Sequence, residues 1–162
     1  MIRPHSIGLS ARRVLLGLAC GLVAGALPAA ADLVRPDSAA PAAEARAVFE
    51  LLKRGFEDGD QQILADLVHG DGLHVRHGGG DTRRTEYSPS QSFYYFKNLF
   101  QSQRTVSFTF LRMEEAAGER VHAMALWVHR RAGEPADREL QLVLVLSRQG
   151  AVWRLAELTT IG

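Results

Sequence analysis

"YSPSQSFYYFKNLF", residues 87–100, holds six of the twelve aromatic side chains in a chain of 162 residues: Tyr87, Phe93, Tyr94, Tyr95, Phe96 and Phe100. Such a cluster is either a stacking platform for a ligand or one wall of a core. The local signals favour the wall. Ser88 fits a helix N-cap, Pro89 the first helical position, and Gln91 the residue that closes a capping box. From that start, at about 100° per residue, Phe93, Phe96, Leu99 and Phe100 fall within one stripe about 120° wide. The stretch predicts an amphipathic helix with its stripe buried, each Phe contributing about 2–3 kcal/mol. Tyr95 flanks the stripe and Tyr94 points away beside Asn98 and Gln101. Their hydroxyls are left to border a pocket or a partner.

Two helices precede this one. Ala45, Val48, Phe49, Leu52 and Phe56 recur at helical spacing over 44–57. Gly59 suits the left-handed position that ends a helix, and Asp60 can cap a second one over 61–68. "LHVRH" at 73–77 alternates as a short strand, with Leu73, Val75 and His77 on one side and His74 and Arg76 on the other. "GGGD" at 78–81 reads as a turn and 82–87 as a return strand.

Four strands come after the aromatic helix, at 106–113, 120–131, 139–148 and 151–161. Short links carrying Gly and Pro join them, which predicts an antiparallel meander. In the first, Val106, Phe108 and Phe110 alternate with Ser107 and Thr109. In the third, Leu140, Leu142, Leu144 and Leu146 form one face, leaving Val143 and Val145 on the other beside Gln141 and Ser147. This element order predicts an α+β fold, three helices packed on a curved antiparallel sheet.

The order, with "FEDGDQQILADLV", "GLHVRH" and the closing "WRLAEL", resembles the nuclear transport factor 2-like superfamily over residues 44–161. The stretch "YSPSQSFYYFKNLFQSQRTVSFTF" also resembles an exported family of unknown function within that superfamily. The resemblance implies a cone-shaped domain with a pocket between sheet and helices. A cystatin-like helix-on-sheet fold is the rival, although it usually carries one long helix where this chain predicts three. The resemblance also implies that the outer sheet face, with its Val143 and Val145, can form a homodimer.

The N-terminus reads as a signal peptide. Arg3, Arg12 and Arg13 precede an apolar run at 14–27, and Ala29-Ala30-Ala31 offers small residues for cleavage after Ala31. "RRVLL" at 12–16 resembles a twin-arginine signal, so the general and the folded-state export routes both stay open, and Cys20 is a weak lipoprotein site. Residues 32–43, rich in Ala and Pro, read as a flexible leader, which makes 44–162 the folded domain. Three arginines and no acid leave with residues 1–31, taking the formal charge from +1 to −2. Cys20 leaves too, so the mature chain has no cysteine for disulfides, thiolate chemistry or Cys-ligated metals. A slightly acidic domain is a poor partner for nucleic acid. The expected place is the periplasm or the medium, with no membrane attachment after cleavage.

No nucleophile elbow, phosphate loop or metalloprotease helix is present. His74 and His77, three apart on a strand, point to opposite faces, so no metal site is assigned and no cofactor is implied. Glu157, expected on one face with Trp153 and Leu155, and His129, on one face with Trp127, are the candidate general bases, with Tyr87 as a further polar group for a pocket. Resemblance to ketosteroid-isomerase-like members implies such acid–base chemistry in the cone, although their catalytic positions do not map onto this chain residue by residue. Tyr95, His77 and Trp127 are the candidate ligand-binding residues. The favoured reading is a small exported, non-catalytic domain that binds an apolar or amphipathic ligand, or an envelope protein. The alternative is a cofactor-free isomerase, dehydratase or cyclase.

Overall fold

The computed structural model describes residues 39–78, 84–114 and 118–161. The signal peptide read at 1–31, most of the leader, and the turn at 78–81 apart from Gly78 lie outside the described residues. Three helices and six strands occur in the order α1 (Ala39–Asp58), α2 (Gln61–Asp66), β1 (Leu73–His77), β2 (Arg84–Tyr87), α3 (Pro89–Ser102), β3 (Gln103–Met113), β4 (Arg120–Arg131), β5 (Asp137–Gln149) and β6 (Val152–Ile161). Helix α1 begins at Ala39, inside the stretch read as leader. Pro41 falls in its first turn, where a missing N–H breaks no intrahelical bond.

The caps read from the sequence are in place. Asp60 accepts from the N–H groups of Gln62 and Ile63, and Ser88 and Gln91 form the reciprocal capping box that starts α3. Between α2 and β1 the chain turns at Gly72, at φ +109°, where an added Cβ would run into the Tyr87 carbonyl oxygen.

The strands form one sheet in the order β2-β1-β6-β5-β4-β3. The meander β3-β4-β5-β6 is antiparallel throughout. The sheet is mixed rather than wholly antiparallel, because β1 runs parallel to β6 with His74 opposite Glu157 and Val75 opposite Leu158. Two strands joined through α3 and the whole meander are free of the hairpin constraint that forces antiparallel pairing.

Register shifts lie between Thr105 and Ser107, between Phe110 and Arg112, and between Val145 and Leu146 opposite Glu157 and Leu155. Each leaves an extra residue that bends its strand and reverses the facing of the residues beyond it. Val106 is one of them and is half exposed rather than on the inner face with Phe108. Ala156 is another. It stands where β6 changes neighbours: Leu155 bridges to Val68 and bonds Leu67 and His69, and from Glu157 onward the partner is β1.

Helices cover the concave side. Ala45, Phe49, Leu52 and Phe56 of α1 meet Phe108, Trp127 and the inner leucines Leu142, Leu144 and Leu146 in one cluster. Phe56 stands at its middle, stacked on Phe108 at 4.7 Å and edge-on to Phe96, Phe100 and Trp127. The buried side of α3 is centred on Ser92 and Phe96, with Tyr95, Leu99 and Phe100 partly covered. Phe93 is only half buried and stacks edge-on against Tyr94 instead. Ser92 occupies the centre because its hydroxyl donates to the Ser88 carbonyl one turn back, so no polar atom is left unsatisfied there.

Candidate functional site

Between α3 and the sheet lies a partly enclosed cavity of about 120 Å³. Its apolar wall is Phe56, Leu99, Trp127, Leu140, Leu142 and Leu158. Its polar atoms come from Tyr95, His77, Gln103 and Thr160. The three residues expected to bind a ligand, Tyr95, His77 and Trp127, therefore meet in one cavity, although they come from α3, β1 and β4. His77 is the one exposed residue of the lining and marks where the cavity reaches the surface.

The polar groups differ in how far they are committed. The Trp127 indole N–H donates to Thr105 Oγ1 at 2.9 Å. Thr160 Oγ1 accepts from the Gly78 N–H at 3.1 Å. Tyr95 lies tilted against Tyr87 with ring centroids 4.9 Å apart, and burial, then the Tyr87 hydroxyl beside it, pushes its pKa upward, so the phenol stays protonated. Gln103 Oε1 is buried with no hydrogen-bond partner among the described residues. Sequence reading missed Gln103, Thr160 and Leu158, and it set Leu99, Leu140 and Leu142 on buried faces without assigning them to the lining. Gln103 is both the C-cap of α3 and the first residue of β3, and only the observed register sets it on the same side as Thr105.

The residues expected to do acid–base chemistry lie elsewhere. The extra residue Ala156 turns Glu157 to the outer face, away from Trp153 and Leu155. There it accepts from Arg120 at 2.7 Å. Burial raises its pKa, but that hydrogen bond and the charges of Arg120, Arg84 and Arg76 outweigh burial and hold it below the ordinary carboxylate value. A carboxylate so held is a weak base, and its outer placement corrects the expectation of one face shared with Trp153 and Leu155. Tyr87 borders a separate shallow groove of about 470 Å³ along α3, with Gln91, Tyr94 and Asn98. Tyr95 and Leu99 stand between that groove and the cavity.

His129 is buried at 6% exposure, facing inward and stacked on Trp127 at 4.4 Å, but it is not part of the cavity wall. Burial lowers its pKa, helped by the charges of Arg138 and Arg131 and opposed by the nearby Trp127 backbone. The folded protein therefore resists a proton that the unfolded chain accepts near the ordinary value of 6.5. The stability this neutral ring carries is fully present above that pH and is lost as pH falls toward the depressed folded value. His129→Phe, which keeps the stack and removes the titration, is expected to flatten the decline in urea midpoint between pH 7.5 and 5. An unchanged slope would refute the assignment.

Among the described residues no three His, Cys, Asp or Glu side chains converge as a metal site, and His74 and His77 lie on opposite faces of the sheet. No helix of the described residues is long and apolar enough to cross a membrane.

No family model matches the sequence, and no curated protein matches it. Solved structures do match. A ketosteroid isomerase-like protein from Erwinia carotovora atroseptica superposes with a TM-score of 0.59 at 9% identity, over 74% of this chain and 94% of its own. An NTF-2 like protein of unknown function from Shewanella oneidensis gives 0.57 at 8% identity, over 75% and 99%. A DUF4783 family protein from Bacteroides uniformis gives 0.56 at 12% identity, over 69% and 94%. At such identities the shared property is the fold: three helices on a curved, unclosed sheet of the NTF2-like kind.

Proposed function

We propose that this NTF2-like domain is exported and binds a small apolar or amphipathic molecule in the cavity between α3 and the sheet, without acting on it chemically. The observation that carries this reading is the incompletely filled cone: about 120 Å³ surrounded by Phe56, Trp127 and four leucines, with a few polar groups among them. Engineered apolar cavities of roughly 150 Å³ bind benzene, so the occupant is of about that size or smaller. The alternative of a cofactor-free isomerase draws less support, because neither Glu157 nor His129 lines the cavity and Tyr87 opens on the groove.

The test is to titrate the protein with benzene and follow the Trp127 environment by NMR. Native protein is expected to saturate. Leu140→Phe, which places a ring in the space beside Trp127, is expected to lose binding by tenfold or more while unfolding at a similar temperature. Equal binding by both proteins would sink the assignment of the cavity.

Export and self-association complete the proposal. The arginines and apolar run before Ala31 support cleavage there. The outer sheet face carries Met124, Leu126, Val128 and Val143 in a partly exposed apolar strip, with Leu111 and Ile161 at its margins. That strip supports a sheet-to-sheet homodimer. Intact mass of the periplasmic or secreted product is expected to begin at Asp32, and light scattering to report twice the mass of residues 32–162. A product retaining residues 1–31 would contradict the first statement, and a strict monomer at high micromolar concentration the second.

A further inference from the structure

We propose that Gln103 makes the cone cavity selective for ligands that carry a hydrogen-bond donor, its Oε1 being the acceptor; this rests on the cavity being the binding site. The occupant is then a small, mostly apolar molecule with one N–H or O–H group, rather than a pure hydrocarbon or a molecule with acceptors alone.

A buried carbonyl oxygen without a partner costs about 1–3 kcal/mol, so an amide among leucines and aromatics is a poor choice for packing alone. Gln103 Oε1 is such an atom, and Gln103 lines the cavity beside Trp127 and Leu99. The neighbouring polar atoms do not supply it. The Trp127 N–H is taken by Thr105, and neither the Thr160 hydroxyl, which accepts from the Gly78 N–H, nor the Tyr95 hydroxyl makes a hydrogen bond to Oε1. Nothing in the helix-to-strand junction requires a glutamine either. The Gln103 contribution to capping is its backbone N–H, which bonds the Leu99 carbonyl and is independent of the side chain. A ligand donor aimed at Oε1 recovers the lost hydrogen bond, and a ligand without one leaves the acceptor stranded in a drier cavity than before.

Three rings of similar size separate the possibilities: pyrrole has an N–H donor and no ring lone pair, pyridine has an acceptor and no donor, and benzene has neither. Titrations of the intact protein at pH 7.5 are expected to show pyrrole about five- to tenfold tighter than benzene, and tighter than pyridine. Gln103→Leu and Gln103→Met are expected to erase the pyrrole advantage and keep benzene binding. Both variants are expected to unfold at or above the native temperature, because each removes the stranded acceptor. Equal pyrrole and benzene affinity in native protein overturns the inference and leaves the cavity reading standing, as it would if a resident water already satisfied Oε1. Tighter pyridine binding overturns it by showing the amide turned end for end. If none of the three rings binds native protein, the cavity reading falls and the inference with it.

Discussion

Phe56→Ala is expected to destabilise the protein by about 3–5 kcal/mol, lowering the thermal midpoint on the order of 10–20 °C. Phe56 is fully buried and is the one side chain in ring contact with Phe96, Phe100, Phe108 and Trp127. Those partners belong to α3, β3 and β4, so truncation removes contacts that tie α1 to the rest of the core at once. The surrounding rings are held by their own strands and helix, which limits how far they can collapse into the space left behind. The same ring forms part of the cavity wall, so the variant also enlarges the cavity. Urea or thermal unfolding measures the stability loss, and a decrease below about 1 kcal/mol would mean that α1 is not seated as described.

Gly72→Ala is the second large effect, about 2–4 kcal/mol. Two separate costs meet there. The φ of +109° lies in a region that side-chain-bearing residues rarely adopt, and the added methyl would collide with the Tyr87 carbonyl oxygen. Backbone cannot swing aside as a side chain can, and Tyr87 is already fixed by pairing with Leu73 and by the capped start of α3 immediately after it. Gly133→Ala is the control. It has a similarly positive φ of +82° with open space around it, so it carries the first cost alone, about 1 kcal/mol. Equal losses in the two variants would rule out the collision.

Elements specified by neighbours along the chain were legible from residue types and spacing. Asp60 and Ser88 announced the starts of α2 and α3 through groups three residues away. The four leucines of β5 announced its inner face, because side chains alternate wherever pairing is regular. Features settled by distant partners were not legible. The parallel pairing of His74 with Glu157 spans most of the domain, and no local residue type signals it. The extra residue Ala156 is an ordinary alanine, yet it decides the facing of Glu157. Ser92 at the centre of a buried helix face drew the reading toward Phe93, since hydrophobicity cannot register a hydroxyl satisfied by its own helix. Within the cavity, Tyr95, His77 and Trp127 were legible as amphipathic residues on inward faces, whereas Gln103 was hidden by its place at the junction of α3 and β3.

Strand β6 follows the other five strands in the chain, yet it stands third in the sheet, joining the β1–β2 pair to β5. A nascent chain that has emerged only as far as Gln149 holds two sheet fragments with no ladder between them, and the inner leucines of β5 still lack Leu155 and Leu158 beside them. Closure of the sheet is thereby deferred until the ten residues of β6 are in place. If the proposed export takes the unfolded-state route, that late closure would leave the two sheet fragments separate until β6 has emerged.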